Sequence, residues 1–343
     1  MKVYYYKSAK GNFGDDLNEW IWDELLPGFF DGNEDFLFSG IGTIINSVLM
    51  PKHKRWVVFS SGVGYGAPPE NFGDDNWDIL CVRGPLSARV LGLSEDKGVT
   101  DGAALLSLLP EFQPIPETDR KGVVFIPHHK ALQSGLWEEA CRRSGVGFVN
   151  PEDDARSVIH RIRQSKLVLA DAMHAAIIAD AMRVPWVPVV SSNHINTFKW
   201  VDWTETINIT YKPWILGSSS LRESVRNKSL RLYGDCYFMN ESKPDVVIDE
   251  FYRMKVYKSR RWWPLYESLS RAVFYKFPDK ILAFVERFFF TAFNERYISS
   301  AAERLAEAAR FGGQLSDEDV FRHNVKKLND LLVKVKSRSD KKE

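Results

Sequence analysis

Arg83 and His174 combine a reactive side chain with an informative position, because each stands where a predicted strand gives way to a helix. Arg83 ends the apolar run ILCVR and is soon followed by Pro85, which favours the first position of a helix. An arginine fixed there can bind a carboxylate or a phosphate through two parallel hydrogen bonds. A salt bridge between domains is the structural alternative.

His174 lies in the first turn of the predicted helix MHAAIIADAMR, after the apolar run KLVLAD. The helix dipole disfavours a positive charge at this end, and a bound phosphate would remove that conflict. A core histidine that bonds Asp171 or a carbonyl group is the alternative. The residues themselves leave both roles open.

Lys199 lies next to Trp200 and close to Trp203. It is either a surface cation or the second positive charge of an anion site, and the tryptophans either stack on a sugar or fill the interior. Gly40 and Gly42 are expected to open a helix whose free amides receive an anion or a closely packed backbone.

The loop histidines His128, His129 and His194 give little support to a metal site, because no pair has i, i+4 spacing with a carboxylate partner. The glycines of SGVGYG have the spacing G-x-G-x-G, and APP follows where a dinucleotide fingerprint needs a helix. The sequence therefore predicts neither a metal nor an organic cofactor.

These residues require an α/β scaffold. Short apolar runs followed by helical patterns recur along the chain and predict parallel sheets that are covered on both faces. The predicted class is α/β, with two Rossmann-like domains facing a cleft. The predicted parts are an N-terminal domain at 1–112, a proline-rich linker at 113–121, a second domain at 122–215 and a helical C-terminal region at 216–343. Ligands are expected at the carboxyl ends of the strands.

Composition restricts the partners and the compartment. Lys and Arg number 46 against 45 Asp and Glu, so the net charge of +1 gives no general attraction to nucleic acid. The three cysteines form no CxxC pair, which fits a reducing compartment. The N-terminus lacks the pattern of a signal peptide, and no run of about 18 apolar residues occurs. We therefore expect a cytoplasmic protein without a transmembrane span.

Eight motifs taken together resemble the polysaccharide pyruvyl transferase family, in particular its ketal-forming members from bacterial exopolysaccharide pathways. They occur in order over roughly residues 1–205: GNFGDDLN, SGIGTIIN, SGVGYG, VRGPLSARVLG, TDGAALL, FIPHH, ADAMHAAIIADAMRVPWVPV and NTFKWVDW. The resemblance implies a fold similar to the two-domain glycosyltransferase B architecture. It also implies phosphoenolpyruvate as the donor and a sugar hydroxyl, often on a lipid-linked repeat unit, as the acceptor.

The implied activity is transfer of the pyruvyl group of phosphoenolpyruvate to a terminal hexose of an exopolysaccharide repeat unit, as a 4,6-ketal, with release of phosphate. The implied donor-binding residues are Arg83, His174, Lys199, Gly40 and Gly42. A glycosyltransferase that uses a nucleotide sugar and a non-catalytic carbohydrate-binding subunit are the two alternatives. Many relatives have an arginine where this chain has Ala172, so Lys199, Lys130 or a loop of the first domain must supply the missing cation.

Ketal formation needs an acid for the enol carbon and a base for the attacking hydroxyl. We expect His174 to be the acid or the partner of the leaving phosphate. The candidates for the base are Asp15, Asp16 and Asp101. The expected acceptor-binding residues are Asn12, Asp15, His128, His129 and Trp200, because a carboxylate in GNFGDDLN suits a hydroxyl better than a phosphate.

The stretch 251–300 is basic and aromatic, with ten Lys and Arg against four Asp and Glu. Helices of this kind can lie in an anionic membrane interface, here the cytoplasmic face of the inner membrane. Alternatively, their aromatic side chains cover the two domains or a dimer partner. The sequence leaves the oligomeric state open.

Overall fold

The computed structural model describes residues 1–52 and 54–339, and this part of the chain contains two parallel sheets. The first sheet has the order β1-β2-β3-β4, and the second has the order β6-β5-β7-β8-β9. The strands are β1 (Lys2–Val3), β2 (Phe36–Ser39), β3 (Arg55–Phe59), β4 (Trp77–Cys81), β5 (Val123–Ile126), β6 (Gly147–Phe148), β7 (Leu167–Ala170), β8 (Trp186–Val190) and β9 (Trp214–Ile215). The predicted α/β class is confirmed.

The predicted strands differ from the structure in three places. The first strand is shorter than the predicted run from Val3 to Tyr6, although the Tyr4 amide still donates to the Phe38 carbonyl at 2.8 Å. The predicted strand at 98–100 is only an isolated bridge between Gly98 and Val82. Strand β9 was not predicted.

Helices cover both sheets and form the C-terminal region. In chain order they are α1 (Phe13–Asp16), α2 (Ile21–Leu25), α3 (Pro85–Val90), α4 (Trp137–Ser144), α5 (Ala155–Arg163), α6 (Met173–Ala181), α7 (Thr197–Thr204), α8 (Leu221–Ser229), α9 (Pro244–Lys258), α10 (Trp263–Arg271), α11 (Phe277–Ala309) and α12 (Glu318–Ser339). In the described part of the chain, none of them is long and apolar enough to cross a bilayer.

The helix expected after Gly40 and Gly42 does not form. Gly42 has a φ of +117°, which directs the chain away from a helical path. Further on, the side chain of Asn46 accepts hydrogen bonds from the amides of Val48 and Leu49 at 3.0 and 2.8 Å. In a helix these amides would donate to backbone carbonyls. Here they donate to a side chain, which stabilises a turn instead.

The larger apolar core extends through both halves of the chain, from strands of the first sheet to α6, α7 and α12. A smaller core lies between the second sheet and the helices α4 and α11. Strand β7 is buried along its whole length, as expected for a strand covered on both faces. The C-terminal helix returns to the centre of the molecule, where Asn324 donates to the Thr206 carbonyl at 2.6 Å.

A buried ion pair joins the first half to α7. Both Arg83 and Asp202 are 0% exposed, and Arg83 Nε donates to Asp202 Oδ2 at 2.9 Å. The guanidinium also donates to Thr43 Oγ1 at 2.7 Å and to the Val63 carbonyl at 2.8 Å. Asp202 accepts two further bonds, from the amide and the hydroxyl of Ser87. The pair therefore has the hydrogen bonds that a buried charge needs.

We expect Asp202→Ala to lower the free energy of unfolding by about 3–5 kcal/mol, because it leaves the Arg83 charge buried without a partner. Urea unfolding followed by circular dichroism measures this change. The matched control is Asp245→Ala, which removes an exposed ion pair with Arg89 and is expected to lower stability by less than about 1 kcal/mol. Equal losses in the two variants would contradict the role of the buried pair.

Candidate active site

The candidate site forms where loops at the carboxyl ends of the two sheets meet. Helix α1 packs against the start of α6 so closely that a Cβ atom at Gly14 would lie 2.0 Å from His174 Nδ1. The Phe13 amide donates to the Pro151 carbonyl at 3.0 Å and fixes this contact. A residue larger than glycine at position 14 would displace the imidazole.

His174 faces Asp101, not the Asp171 that the sequence offered as its partner. His174 Nε2 and Asp101 Oδ2 are 3.8 Å apart, and among the described residues neither atom has a hydrogen-bond partner. Asp171 is occupied instead by the His128 amide and by Ser191. Burial alone would raise the pKa of Asp101, but the nearby imidazole, the Ala103 amide and Arg83 together lower it. Asp101 can therefore stabilise a charged His174.

Asp101 itself is 0% exposed, and its other oxygen accepts from the Ala103 amide at 3.0 Å. It lies behind His174, so the structure favours it as a positioning residue over its expected role as a base. Asp16 is also engaged, because its carboxylate accepts from the Asn12 amide at 2.7 Å and closes the first turn of α1. Of the three candidate bases, Asp15 remains the best placed.

Asp15 is half-buried next to His174, and Asn12 Nδ2 donates to its carboxylate at 2.5 Å. Burial raises the pKa of Asp15 above the usual range, although the charges of His174 and Lys199 reduce the effect. Gly42 contacts the same carboxylate, since a Cβ there would lie 3.1 Å from Asp15 Oδ1. A carboxyl group with a raised pKa next to an imidazole is suited to proton transfer.

Lys199 approaches this pair from the first turn of α7. Asn196 caps that helix, and the ammonium lies 5.3 Å from the centre of the Tyr65 ring. Burial and the neighbouring Arg83 lower the pKa of Lys199 to about 8, against the opposite influence of Asp15. Gly64 makes room for the lysine, because a Cβ there would lie 2.9 Å from Lys199 Cγ.

A second cationic group borders the first. Lys130 and Arg226 provide its charges, and the Arg226 guanidinium donates to the Lys130 carbonyl at 2.6 Å. Arg226 is 2% exposed, and its Nε has no hydrogen-bond partner within the described chain. An unsatisfied buried N–H near a second cation is suited to an anionic ligand.

His128, His129 and His194 surround these cations and are held neutral. Burial, together with the nearby Lys130, lowers the pKa of His129 to about 4 and that of His194 to about 2. The pKa of His128 is lowered in the same way, by burial and then by His129. The rings of His128 and His129 lie 4.3 Å apart. Neutral imidazoles can donate hydrogen bonds to an anion without needing protonation.

Two of the predicted donor contacts, those of Arg83 and Gly40, are not supported by these positions. The buried Arg83 binds Asp202, Thr43 and Val63, so the alternative of a salt bridge between the halves is the one observed. Gly40 packs on the indole of Trp22, where a Cβ would lie 2.2 Å from the ring. Both residues therefore pack in the interior next to the site and do not line it.

Trp200 is interior, not a sugar-stacking wall. It is 2% exposed and stacks on Tyr211 with ring centres 5.1 Å apart. Trp186 and Trp203 lie on its other sides. The alternative of interior packing is therefore the correct one for both tryptophans of this helix.

A groove of about 1170 Å³ adjoins the charged centre. Gly64, Asn196 and Tyr237 belong to its lining, and it continues along α9 past Phe251. Asn196 Nδ2 donates to the Gly64 carbonyl at 2.7 Å, so the same residue borders the groove and caps the helix that carries Lys199. The groove is large enough for an extended ligand next to the charged centre.

Sequence reasoning missed Arg226 and Tyr237 because both lie in the region expected to be a helical tail. Tyr65 belongs to the glycine-rich loop SGVGYG, and its ring contacts Tyr237 edge to face at 5.1 Å. Local patterns gave no signal for Arg226, which reaches the site from α8 only after the chain folds back.

Comparison with known proteins identifies the family of the chain. The model of the polysaccharide pyruvyl transferase family matches residues 2–193, more than half of the chain. The protein therefore belongs to the polysaccharide pyruvyl transferase family, as its motifs indicated. It is 42% identical over 245 residues to the succinoglycan biosynthesis protein ExoV of Rhizobium meliloti (strain 1021), an alignment that covers 71% of this chain and 77% of that protein. No solved structure matched the chain.

We expect Gly14→Ala to move the His174 ring, because the added methyl group would overlap it. Long-range ¹H–¹⁵N spectra of the imidazoles report the change, with His174→Gln identifying the signals. The control is Gly122→Ala, where the backbone has a positive φ but the added methyl group meets open space. Unchanged His174 signals in Gly14→Ala would contradict the packing described above.

Proposed function

We propose that the protein transfers the pyruvyl group of phosphoenolpyruvate to a terminal hexose of an exopolysaccharide repeat unit, as a 4,6-ketal, with release of phosphate. Family membership supports a pyruvyl transferase that acts on a polysaccharide. The observation that carries the finer proposal is the convergence of Asp15, His174 and Lys199, with Lys199, Lys130 and Arg226 all close enough to His129 to lower its pKa. The donor bears a carboxylate and a phosphate, which need such cations.

The proposed reaction uses Asp15 and His174 twice. His174 protonates the methylene carbon of the donor while a hexose hydroxyl attacks the central carbon and passes its proton to Asp15. A tetrahedral intermediate that still carries phosphate results. The second hydroxyl then attacks the same carbon as the bond to phosphate breaks. Asp15 returns its proton to the departing phosphate and His174 takes that of the second hydroxyl, so both residues regain their starting states.

Lys199 and Lys130 are proposed to hold the two anionic groups of the donor, with the neutral His129 donating a hydrogen bond. Lys130 thereby replaces the arginine that is absent at Ala172. Asn12 and His128 are proposed to contact the acceptor, which extends from the charged centre into the adjoining groove. Aromatic side chains such as Tyr237 border that groove and can stack on a sugar.

The wider setting of the reaction is also part of the proposal. Two sheets whose carboxyl ends meet at one site suit an arrangement of the glycosyltransferase B type. The cysteines are free, and two of them, Cys81 and Cys141, are buried, which suits a reducing cytoplasm. The substrates supply all atoms of the products, so the proposed step uses no organic cofactor.

We expect Asp15→Asn and His174→Gln each to lower kcat at least about a hundredfold, because each removes a group that transfers protons. The assay measures phosphate release that requires both phosphoenolpyruvate and a hexose-terminated acceptor. The control His160→Gln changes an exposed histidine that pairs with Glu111 and should retain the parent rate.

Three results would contradict the proposal. If both variants kept full turnover, the assignment of the catalytic residues would be wrong. If no hexose acceptor supported phosphate release, but a nucleotide sugar raised the melting temperature and was consumed, the protein would be a glycosyltransferase. Absence of both reactions with folded protein would instead indicate a binding subunit.

The pH dependence of donor binding tests Lys199. Its pKa of about 8 means that the cation is present at lower pH and is lost as the pH rises. We therefore expect KM for phosphoenolpyruvate to rise about tenfold between pH 7 and pH 9. A phosphate monoester has its second pKa near 6, so the donor keeps its charge over this range. Lys199→Arg stays charged and should abolish the rise; an unchanged profile in that variant would contradict the assignment.

A further inference from the structure

An exposed apolar strip runs along α10 and α11. Between them, residues 272–276 form a short π-helix, so the helical path continues from Trp263 onwards. The strip consists of side chains that recur every three or four residues and face solvent: Leu265, Leu269, Val273, Phe277, Ile281, Phe284 and Phe288. At 1.5 Å per residue it is about 35 Å long. Phe277, Phe284 and Phe288 are 66%, 61% and 69% exposed, which is unusual for a soluble surface.

The charges along this strip have one sign. The exposed cations are Arg260, Arg261, Lys276, Lys280 and Arg287, and none has a carboxylate partner in the described part of the chain. The carboxylates of the same stretch are Glu267, Asp279 and Glu286, and all are less exposed and engaged. Glu267 pairs with Arg271, Asp279 pairs with Arg222, and Glu286 accepts from Asn294. The solvent-facing side of these helices is therefore apolar and cationic.

We propose that the apolar strip docks the protein on the surface of an anionic lipid bilayer. Phenylalanine and leucine side chains enter the interface between headgroups and acyl chains, and the flanking cations bind the lipid charges. A second copy of the chain fits less well, because pairing two such strips would bring unpaired cations together. The membrane alternative raised by the sequence is thus favoured over coverage of the two domains, which the exposure of the strip excludes.

The groove beside the candidate site ends close to this strip. Arg260 lines the groove, and its guanidinium lies 6.0 Å from the centre of the Trp262 ring, directly before α10. A ligand anchored in the bilayer could therefore reach the charged centre without leaving the protein surface. The docking surface would thus bring a bilayer-anchored ligand to the charged centre, whichever sugar is modified.

Vesicle flotation tests the proposal with the full chain. We expect the protein to float with vesicles of phosphatidylcholine and phosphatidylglycerol at low salt, and not with phosphatidylcholine alone. Lys276→Gln/Lys280→Gln/Arg287→Gln should weaken binding at least about tenfold, since each cation near the surface contributes several-fold. Phe277→Ser/Phe284→Ser/Phe288→Ser should weaken it comparably. Circular dichroism verifies that the variants are folded.

Matched controls separate this surface from general charge and hydrophobicity. Lys10→Gln/Lys52→Gln/Lys121→Gln removes three exposed cations elsewhere, and Val48→Ser/Phe311→Ser/Val333→Ser removes three exposed apolar side chains elsewhere. Both should bind like the parent. Equal loss in a control and its counterpart would overturn the proposal, as would absence of binding to anionic vesicles. So would a parent dimer, seen by light scattering, that the phenylalanine variant alone converts to a monomer.

Discussion

The buried pair of Arg83 and Asp202 is the interaction on which the arrangement of the site depends. A buried charge is tolerated only when its hydrogen-bonding capacity is used, and here the partners come from both halves of the chain. To reach them, the guanidinium passes so close to Gly62 that a Cβ there would lie 2.5 Å away. The same loop continues to Gly64, against which Lys199 packs. One ion pair thus fixes both the loop and the helix that carries the site lysine.

Partial burial then sets the chemistry of the centre. Burial disfavours charge, so it raises the pKa of the Asp15 carboxyl and lowers that of the Lys199 ammonium. Attraction between the two groups opposes both shifts. Around Lys130 the balance differs, because nearby cations add to burial and leave His129 neutral. The two halves of the site therefore have separate characters, one suited to moving protons and the other to holding an anion.

The sequence predicted the parts of this protein that depend on local pattern. Buried strands such as β7 and helices with clear ends, such as α3 between Pro85 and Gly92, were predicted closely. Prediction from the sequence failed where a distant contact decides the local structure. The helix after Gly42 is lost to a side-chain turn, and Trp200 is removed from the surface by aromatic neighbours. The sequence correctly placed a cation, Arg83, at the end of a strand. Only the fold shows that the partner of this cation is Asp202 and not a ligand.

The family match to residues 2–193 does not include all the residues that form the centre. Lys199 and Asp202 lie in α7, just beyond the match, and Arg226 lies in α8. Without α7, Arg83 would lose its carboxylate partner, and without α8, the Lys130 carbonyl would lose the guanidinium that binds it. The region that sequence patterns marked as a tail therefore supplies a wall of the site. The second sheet and the helices that follow it form one functional unit, because the charged side chains of the site come from both.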